Sequence, residues 1–392
     1  MKKILIYDDE VQFQREWKRD LNALSALEDD FEIETLSQEA FKYAMNVLKK
    51  RRQGLRKNDE WGDERIPLDD TSVFIIDYDL LDTDPFLTGE AVAYLTRCFS
   101  ECGLIIGVNQ YPDLDFDLTL RGHPESFADL NVTAKQLSNP NLWEHTGAGF
   151  RPWYWPVLPN HLRDFEKKVM DVQQSLSEDV PICQVLGFSP DRFDFNMLPR
   201  SISQFIGHDP AQTTFREFVT KSGNGLRSKD AEHVNDDILA RVGAARISKW
   251  LERLVLPELD ILVDAPHLVS RYPSLMTGNI ARIETWNKTI QLASHQYLGL
   301  STNLIEPFRL KKDHWLSRPV WFWDRLRECE GIAEIREPSK TVQPDWIFCE
   351  DISQFWQGDH REFVADTESP FARRFVKALD GIEYHPKVRF SL

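Results

Sequence analysis

The chain has 392 residues, 42% of them hydrophobic, enough for two or three domains with a sizeable core and too apolar for a disordered polymer. A formal net charge of −16 repels nucleic-acid phosphates, and no stretch approaches the ~18 continuous apolar residues of a membrane helix, so no nucleic-acid or membrane partner is expected. Only "ILIY" follows the two N-terminal lysines, too short for a secretory leader, and five scattered cysteines (Cys98, Cys102, Cys183, Cys329, Cys349) suit buried thiols better than a disulfide framework; a cytoplasmic protein is expected.

The first ~165 residues alternate strand and helix signals. "KILIYD" is a short strand, and "EVQFQREWKRDLNALSAL" carries apolar residues at helical spacing. "FEIETL" predicts a second strand, and "SQEAFKYAMNVLKKRR" a helix with Ser37 as N-cap. The basic run Lys49–Lys57 that ends this helix predicts a solvated C-terminus complementing the helix dipole, rather than a nucleic-acid patch. A polar insertion near 54–70 follows, then "SVFIIDYDL", too apolar for a strand with a wet face. "GEAVAYLTRCFSE" predicts a third helix and "CGLIIGVN" a fourth strand. Residues 111–148 look irregular; "FRPWYWPVLP" is taken as the fifth strand and "NHLRDFEKKVMDVQQSL" as the closing helix.

This alternation predicts an α/β domain over 1–170, a doubly wound parallel sheet of five strands with insertions near 54–70 and 111–148. Sites in such sheets form beyond the C-terminal ends of the strands. Asp8 and Asp9 end the first strand and Asp77 ends the third. If those strands are neighbours, the three carboxylates meet at one sheet edge, where mutual repulsion is costly unless a cation such as Mg2+, which prefers oxygen ligands, offsets it. The plainer alternative is a set of surface acids at loop starts.

At these residues the sequence resembles the receiver (CheY-like) domain of two-component response regulators, over roughly 1–170. The resemblance implies that Asp8 and Asp9 bind Mg2+, that Asp77 accepts a phosphoryl group from a histidine kinase, and that Asp79 offers its backbone carbonyl to the metal. It also marks departures. The family closes its fourth strand with Thr or Ser, where "GLIIGVNQYP" offers Asn109 as the candidate phosphoryl contact, with Val108 and Gln110 beside it. The family closes its fifth strand with Lys-Pro, where "WYWPVLP" matches Pro156 and puts Trp155 in the lysine position. An indole donates one hydrogen bond and neutralises no anion.

Beyond 170 the alternation stops, and a mainly helical α+β domain is expected over 171–392. "DAEHVNDDILARVGAARISKWLERLVLPELDILV" is strongly helical with an interruption at Pro257, "WLSRPVWFWDRLRECEGI" reads as helical after Pro319, "PDWIFCEDISQF" as strand and turn, and "EYHPKVRFSL" as an edge strand or tail. No phosphate loop, dinucleotide fingerprint, HExxH or GxSxG is present. "HDP", "DAPH" and "EDIS" mix acids with histidines, and only a tight cluster of them would argue for an enzyme. Trp153 and Trp155, and Trp315, Trp321 and Trp323, suit either core packing or an aromatic contact surface.

The expected function is therefore a phosphoacceptor in a two-component pathway, with a histidine kinase as partner and a separate effector or second response regulator downstream. A receiver followed by a large domain without effector motifs also resembles the phosphate-buffer component of the Detocs phage-defence system, which drains phosphoryl groups from its kinase. The alternative is a receiver-like scaffold that binds a protein partner without phosphoryl transfer.

Overall fold

The computed structural model describes the chain apart from residues 28–29, 58–63, 81–82, 84–86, 110–125, 145–148, 152–156, 189–196, 258–259, 291–298, 317, 334–345, 359–361, 364–374 and 383–392. Its N-terminal part is an α/β domain around a five-stranded parallel sheet. The elements are β1 (Lys2–Tyr7), α1 (Val11–Asn22), β2 (Phe31–Thr35), α2 (Gln38–Arg56), β3 (Val73–Asp77), α3 (Gly89–Phe99), β4 (Leu104–Asn109) and β5 (Leu130–Thr133). The strand order β2-β1-β3-β4-β5 is compatible with a receiver-like domain. Ile4, Leu5 and Ile6 of β1 and all five residues of β3 are buried, as expected for strands covered on both faces. Ser37 caps α2 by accepting the Ala40 N–H at 3.2 Å, and Thr88 caps α3 through the Ala91 N–H at 3.2 Å.

The fifth strand is not "FRPWYWPVLP". It is Leu130–Thr133, inside the stretch expected to be irregular, followed by the short helices α4 (Ala134–Leu137) and α5 (Pro140–Trp143). Four residues are too few to show a periodicity, whereas the aromatic run around Trp153 has the composition of a strand. Trp153, Trp155 and Pro156 lie outside the described residues. The closing helix α6 (Leu158–Glu178) is present and runs through residue 170.

The remainder is mainly helical. Short helices α7 (Ile182–Leu186), α8 (Arg200–Ser203) and α9 (Phe215–Lys221) lead to α10 (Asp236–Trp250). Asn235 caps α10, accepting the Ile238 N–H at 2.9 Å, and Asp236 and Asp237 complement its N-terminal dipole. A π-helical turn at Leu251–Val255 ends it just before Pro257. "DILV", expected to extend a helix, instead contributes β6 (Leu262–Asp264), followed by α11 (Ala265–Arg271), α12 (Ile283–Asn287) and α13 (Thr302–Ile305). The segment after Pro319 opens as a strand, β7 (Val320–Phe322), paired antiparallel with β6, and only then turns into α14 (Trp323–Glu328) and α15 (Glu330–Ala333). "PDWIFCEDISQF" forms β8 (Trp346–Cys349), a turn and β9 (Gln354–Gln357), joined by β10 (Glu362–Phe363) and β11 (Phe375–Val376) in a four-stranded sheet. The C-terminal "EYHPKVRFSL" lies outside the described residues.

α10 packs on α6, α9 and α3, so one hydrophobic cluster runs from Ile4 of the sheet through Trp250 to Phe322. A second, smaller cluster gathers Val263, Trp286, Trp321, Trp323 and Phe355 around the C-terminal sheet. Trp315 and Trp321 are buried core residues, and Trp323 is 7% exposed, so these rings pack internally. Cys98, Cys102, Cys183 and Cys349 are buried free thiols, with Cys329 half-buried. No described helix is long and apolar enough to cross a membrane.

Candidate metal centre

β1 and β3 are neighbours in parallel register, Tyr7 opposite Ile76, so the acids that follow each strand emerge side by side. β1 also lies where the sheet order turns, flanked by β2 and β3, the position at which doubly wound sheets open a crevice. One carboxylate oxygen from each of Asp8, Asp9 and Asp77 lies within 4.8 Å of the others. The three acids the sequence singled out are thus brought together.

Their surroundings hold them in place. Asp8 is 1% exposed and Asp77 is 4% exposed, with Asp9 half-buried. The Glu10 N–H donates to Asp8 Oδ1 at 2.7 Å, and Gln14 Nε2 donates to the Asp8 carbonyl, tying the acid pair to α1. The Asp79 N–H donates to Asp77 Oδ2 at 3.1 Å and the Thr83 N–H to Asp9 Oδ2 at 3.2 Å. Thr83 Oγ1 in turn meets the Tyr7 hydroxyl at 2.6 Å, and the Tyr7 ring stacks on Phe41 of α2 with centroids 3.6 Å apart. Asp79 is held by an isolated antiparallel bridge to Thr88.

Burial is the main force on the two inner carboxyls. It pushes Asp8 up to about 7, assisted by Asp9 and Glu10 against the opposing Glu10 N–H bond. Asp77 is pushed up to about 8 by burial first and then by the charge of Asp8. Both shifts follow from placing like charges together in a dry site. A divalent cation reverses that logic, since hard oxygen ligands and local negative charge are what Mg2+ binds. The donor set therefore fits such an ion: carboxylates only, one oxygen available from each.

The rest of the edge departs from the sequence expectation. Asn109, the last residue of β4, stands opposite Thr133, the last residue of β5. The residue closing the fifth strand is therefore Thr133, not Trp155. Thr133 Oγ1 accepts the Gln136 N–H at 3.3 Å and caps α4. Lys135 follows two residues later, in α4. Sequence reasoning missed Thr133 and Lys135 because it placed the strand about twenty residues too late, and the four residues of β5 carry no local pattern that sets them apart.

"DAPH" and "EDIS" do meet in the C-terminal part. His267 Nδ1 lies 2.5 Å from Asp264 Oδ1 and Nε2 lies 3.3 Å from Glu350 Oε1, all three side chains buried. Burial alone would lower the His267 pKa, but the two carboxylates outweigh it and raise it. With both ring nitrogens engaged by carboxylates, this imidazole clamps α11 to the end of β6 and to Glu350 just after β8, rather than being an open general base.

No family model matches this chain, and no similar curated protein or solved structure is found.

Proposed function

We propose that the chain is a phosphoacceptor of the two-component type, in which Asp77 takes a phosphoryl group from a phosphohistidine on a cytoplasmic histidine kinase. The observation that carries this reading is the convergence of Asp8, Asp9 and Asp77 at the turning point of the sheet. In the transfer, an oxygen of the Asp77 carboxylate bonds to phosphorus, the phosphorus–nitrogen bond breaks, and the kinase imidazole leaves with the electron pair and is protonated. Asp8, Asp9 and Asp77 would hold Mg2+, with Asp79 as a backbone donor. The ion supplies screening of the charge on the acceptor and on the phosphoryl oxygens. Asp8, Asp9 and the Asp79 N–H orient the acceptor carboxylate, and Asn109, the last residue of β4, would donate an amide hydrogen bond to the bound group.

Thr133 at the end of β5 favours a particular version of this role. The lysine that the receiver family uses to read the phosphoryl charge is not the residue closing this strand. A phosphate sink of the Detocs type, restraining an effector by draining its kinase, needs acceptance but not that readout. The same observation supports the second reading, a pseudo-receiver scaffold that binds a protein partner without phosphoryl transfer.

Intact-mass measurement after incubation with Mg2+ and an acyl-phosphate or phosphoramidate donor separates the two. A gain of one phosphoryl mass that disappears in Asp77→Asn and on chelation is the expected result. No gain, or a gain that survives Asp77→Asn, leaves only the scaffold.

A further inference from the structure

The residue next to the acceptor starts a chain of contacts that leaves the sheet. The Gly89 N–H donates to the Tyr78 carbonyl at 2.9 Å, and a Cβ at Gly89 would sit 2.5 Å from the Asp77 carbonyl oxygen, so the start of α3 is seated on Asp77–Tyr78 without slack. The Tyr78 hydroxyl donates to Glu90 Oε2 at 3.4 Å. Glu90, in the first turn of α3, accepts from Ser126 Oγ at 2.7 Å and from the Phe127 N–H at 2.6 Å. The carbonyl of Ser126 then accepts from Arg246 at 2.7 Å and from Lys249 Nζ at 2.8 Å, and Lys249 also donates to the Ala128 carbonyl. Arg246 stacks on the Phe127 ring at 4.7 Å and donates to the Asn224 carbonyl at 2.7 Å.

Arg246 and Lys249 belong to α10 and are 3% and 4% exposed. Neither the buried guanidinium of Arg246 nor the buried amine of Lys249 can lose its acceptors without a desolvation cost, so α10 has to follow any displacement of Ser126–Ala128. Glu90 cannot release that segment cheaply either, since it carries two charge-assisted bonds to it. α10 ends in a π-helical turn, an irregularity frequently found at functional sites.

We propose that Ser126–Ala128 form an internal output contact, through which occupation of the Asp8–Asp9–Asp77 pocket is passed by Tyr78 and Glu90 to Arg246 and Lys249 of α10. The inference rests on the pocket being occupied as argued above, and adds that the C-terminal part of the same chain reads that occupation. Coupling of this kind is reciprocal, so a change at the α10 contact also alters occupancy of the pocket.

Hydrogen exchange on the full chain tests it, with intact mass followed in parallel. Addition of Mg2+ and an acyl-phosphate donor should change exchange over 127–133 and 236–250 by about fivefold or more. In Glu90→Gln, whose amide keeps one acceptor and loses the other, Asp77 should still gain the phosphoryl group while 236–250 stops responding. Tyr78→Phe, which removes only the long hydroxyl bond, should weaken the response less. Phosphorylated wild-type protein with unchanged exchange over 236–250 overturns the relay but not the acceptor role, and so does a Glu90→Gln protein that responds like wild type. Absence of both a mass gain and any Mg2+-dependent exchange overturns both readings. If no phosphoryl mass is gained but Mg2+ alone alters 236–250 in wild type and not in Glu90→Gln, the relay stands while phosphoryl acceptance falls.

Discussion

Arg52 and Asp230 are 178 residues apart in sequence, yet Arg52 Nε lies 2.8 Å from Asp230 Oδ2. Arg56 bonds the same carboxylate at 2.5 Å and the Tyr94 hydroxyl donates to it at 2.7 Å. The Asp230 carboxylate is fully buried. Burial pushes its pKa up, and the bonds from Arg52, Tyr94 and Arg56 outweigh that and hold it below the ordinary range. Arg52 and Arg56 of the basic tail of α2 thus dock it against the segment preceding α10, while Lys49, Lys50 and Lys57 are exposed as expected. Arg51 of the same tail is internal, paired with Asp69 at 2.7 Å.

Removing the shared carboxylate leaves two partly buried guanidinium groups facing a dry site. Asp230→Asn should therefore lower the unfolding free energy by about 3 kcal/mol, read as a shift in the urea midpoint. Arg65→Gln, which breaks an exposed, solvent-screened pair with Asp70 at 2.8 Å, should cost far less than Asp230→Asn. Equal costs for the two variants would contradict the docking role of Asp230.

Gly89 opens α3 directly against the end of β3. The Cβ of an alanine there would meet the Asp77 carbonyl oxygen at 2.5 Å and Tyr78 Cα at 2.7 Å, both backbone atoms that cannot swing aside. Gly89→Ala should cost about 1–3 kcal/mol and weaken Mg2+ binding, because relief requires Asp77 to move. Calorimetric titration with Mg2+ alongside thermal unfolding measures both; a variant with wild-type affinity would show that α3 is not seated on the site as described.

The acid pocket sets a pH dependence with a definite sign. Asp8 and Asp77 have folded pKa values raised to about 7 and about 8, so between about 4, the ordinary carboxylate value, and those values the folded state holds more protons than the unfolded chain. Stability of the metal-free protein should fall as pH rises through that window, with the penalty complete above about 8. Mg2+ displaces the protons and should flatten the fall. Thermal unfolding from pH 5 to 8.5, with magnesium and with chelator, checks it. Asp77→Asn should lose most of the difference between the two conditions.

Much of the N-terminal part was legible because its signals are local and long. β1 and β3 are continuous apolar runs that only a doubly covered strand tolerates, and each ends in acids where doubly wound sheets place their sites. Ser37 as a cap needed no partner beyond its own helix. β5 was not legible: Leu130–Thr133 is held by its ladder to β4, a contact absent from local composition. Val320–Phe322 failed in the same way, being a strand because β6 lies beside it.

What the amino-acid order determined by itself is which residues are apolar, where turns and caps fall, and that acids close two strands. What only the tertiary structure decided is which distant polar groups meet: Arg52 and Arg56 with Asp230, His267 with Glu350, Lys249 with the carbonyls of Ser126 and Ala128. Apolar burial is non-directional and repeats with the backbone period, so it can be read along the chain. Pairing of buried charges depends on distances of a few ångströms between segments far apart in sequence, and those exist only once the chain has packed.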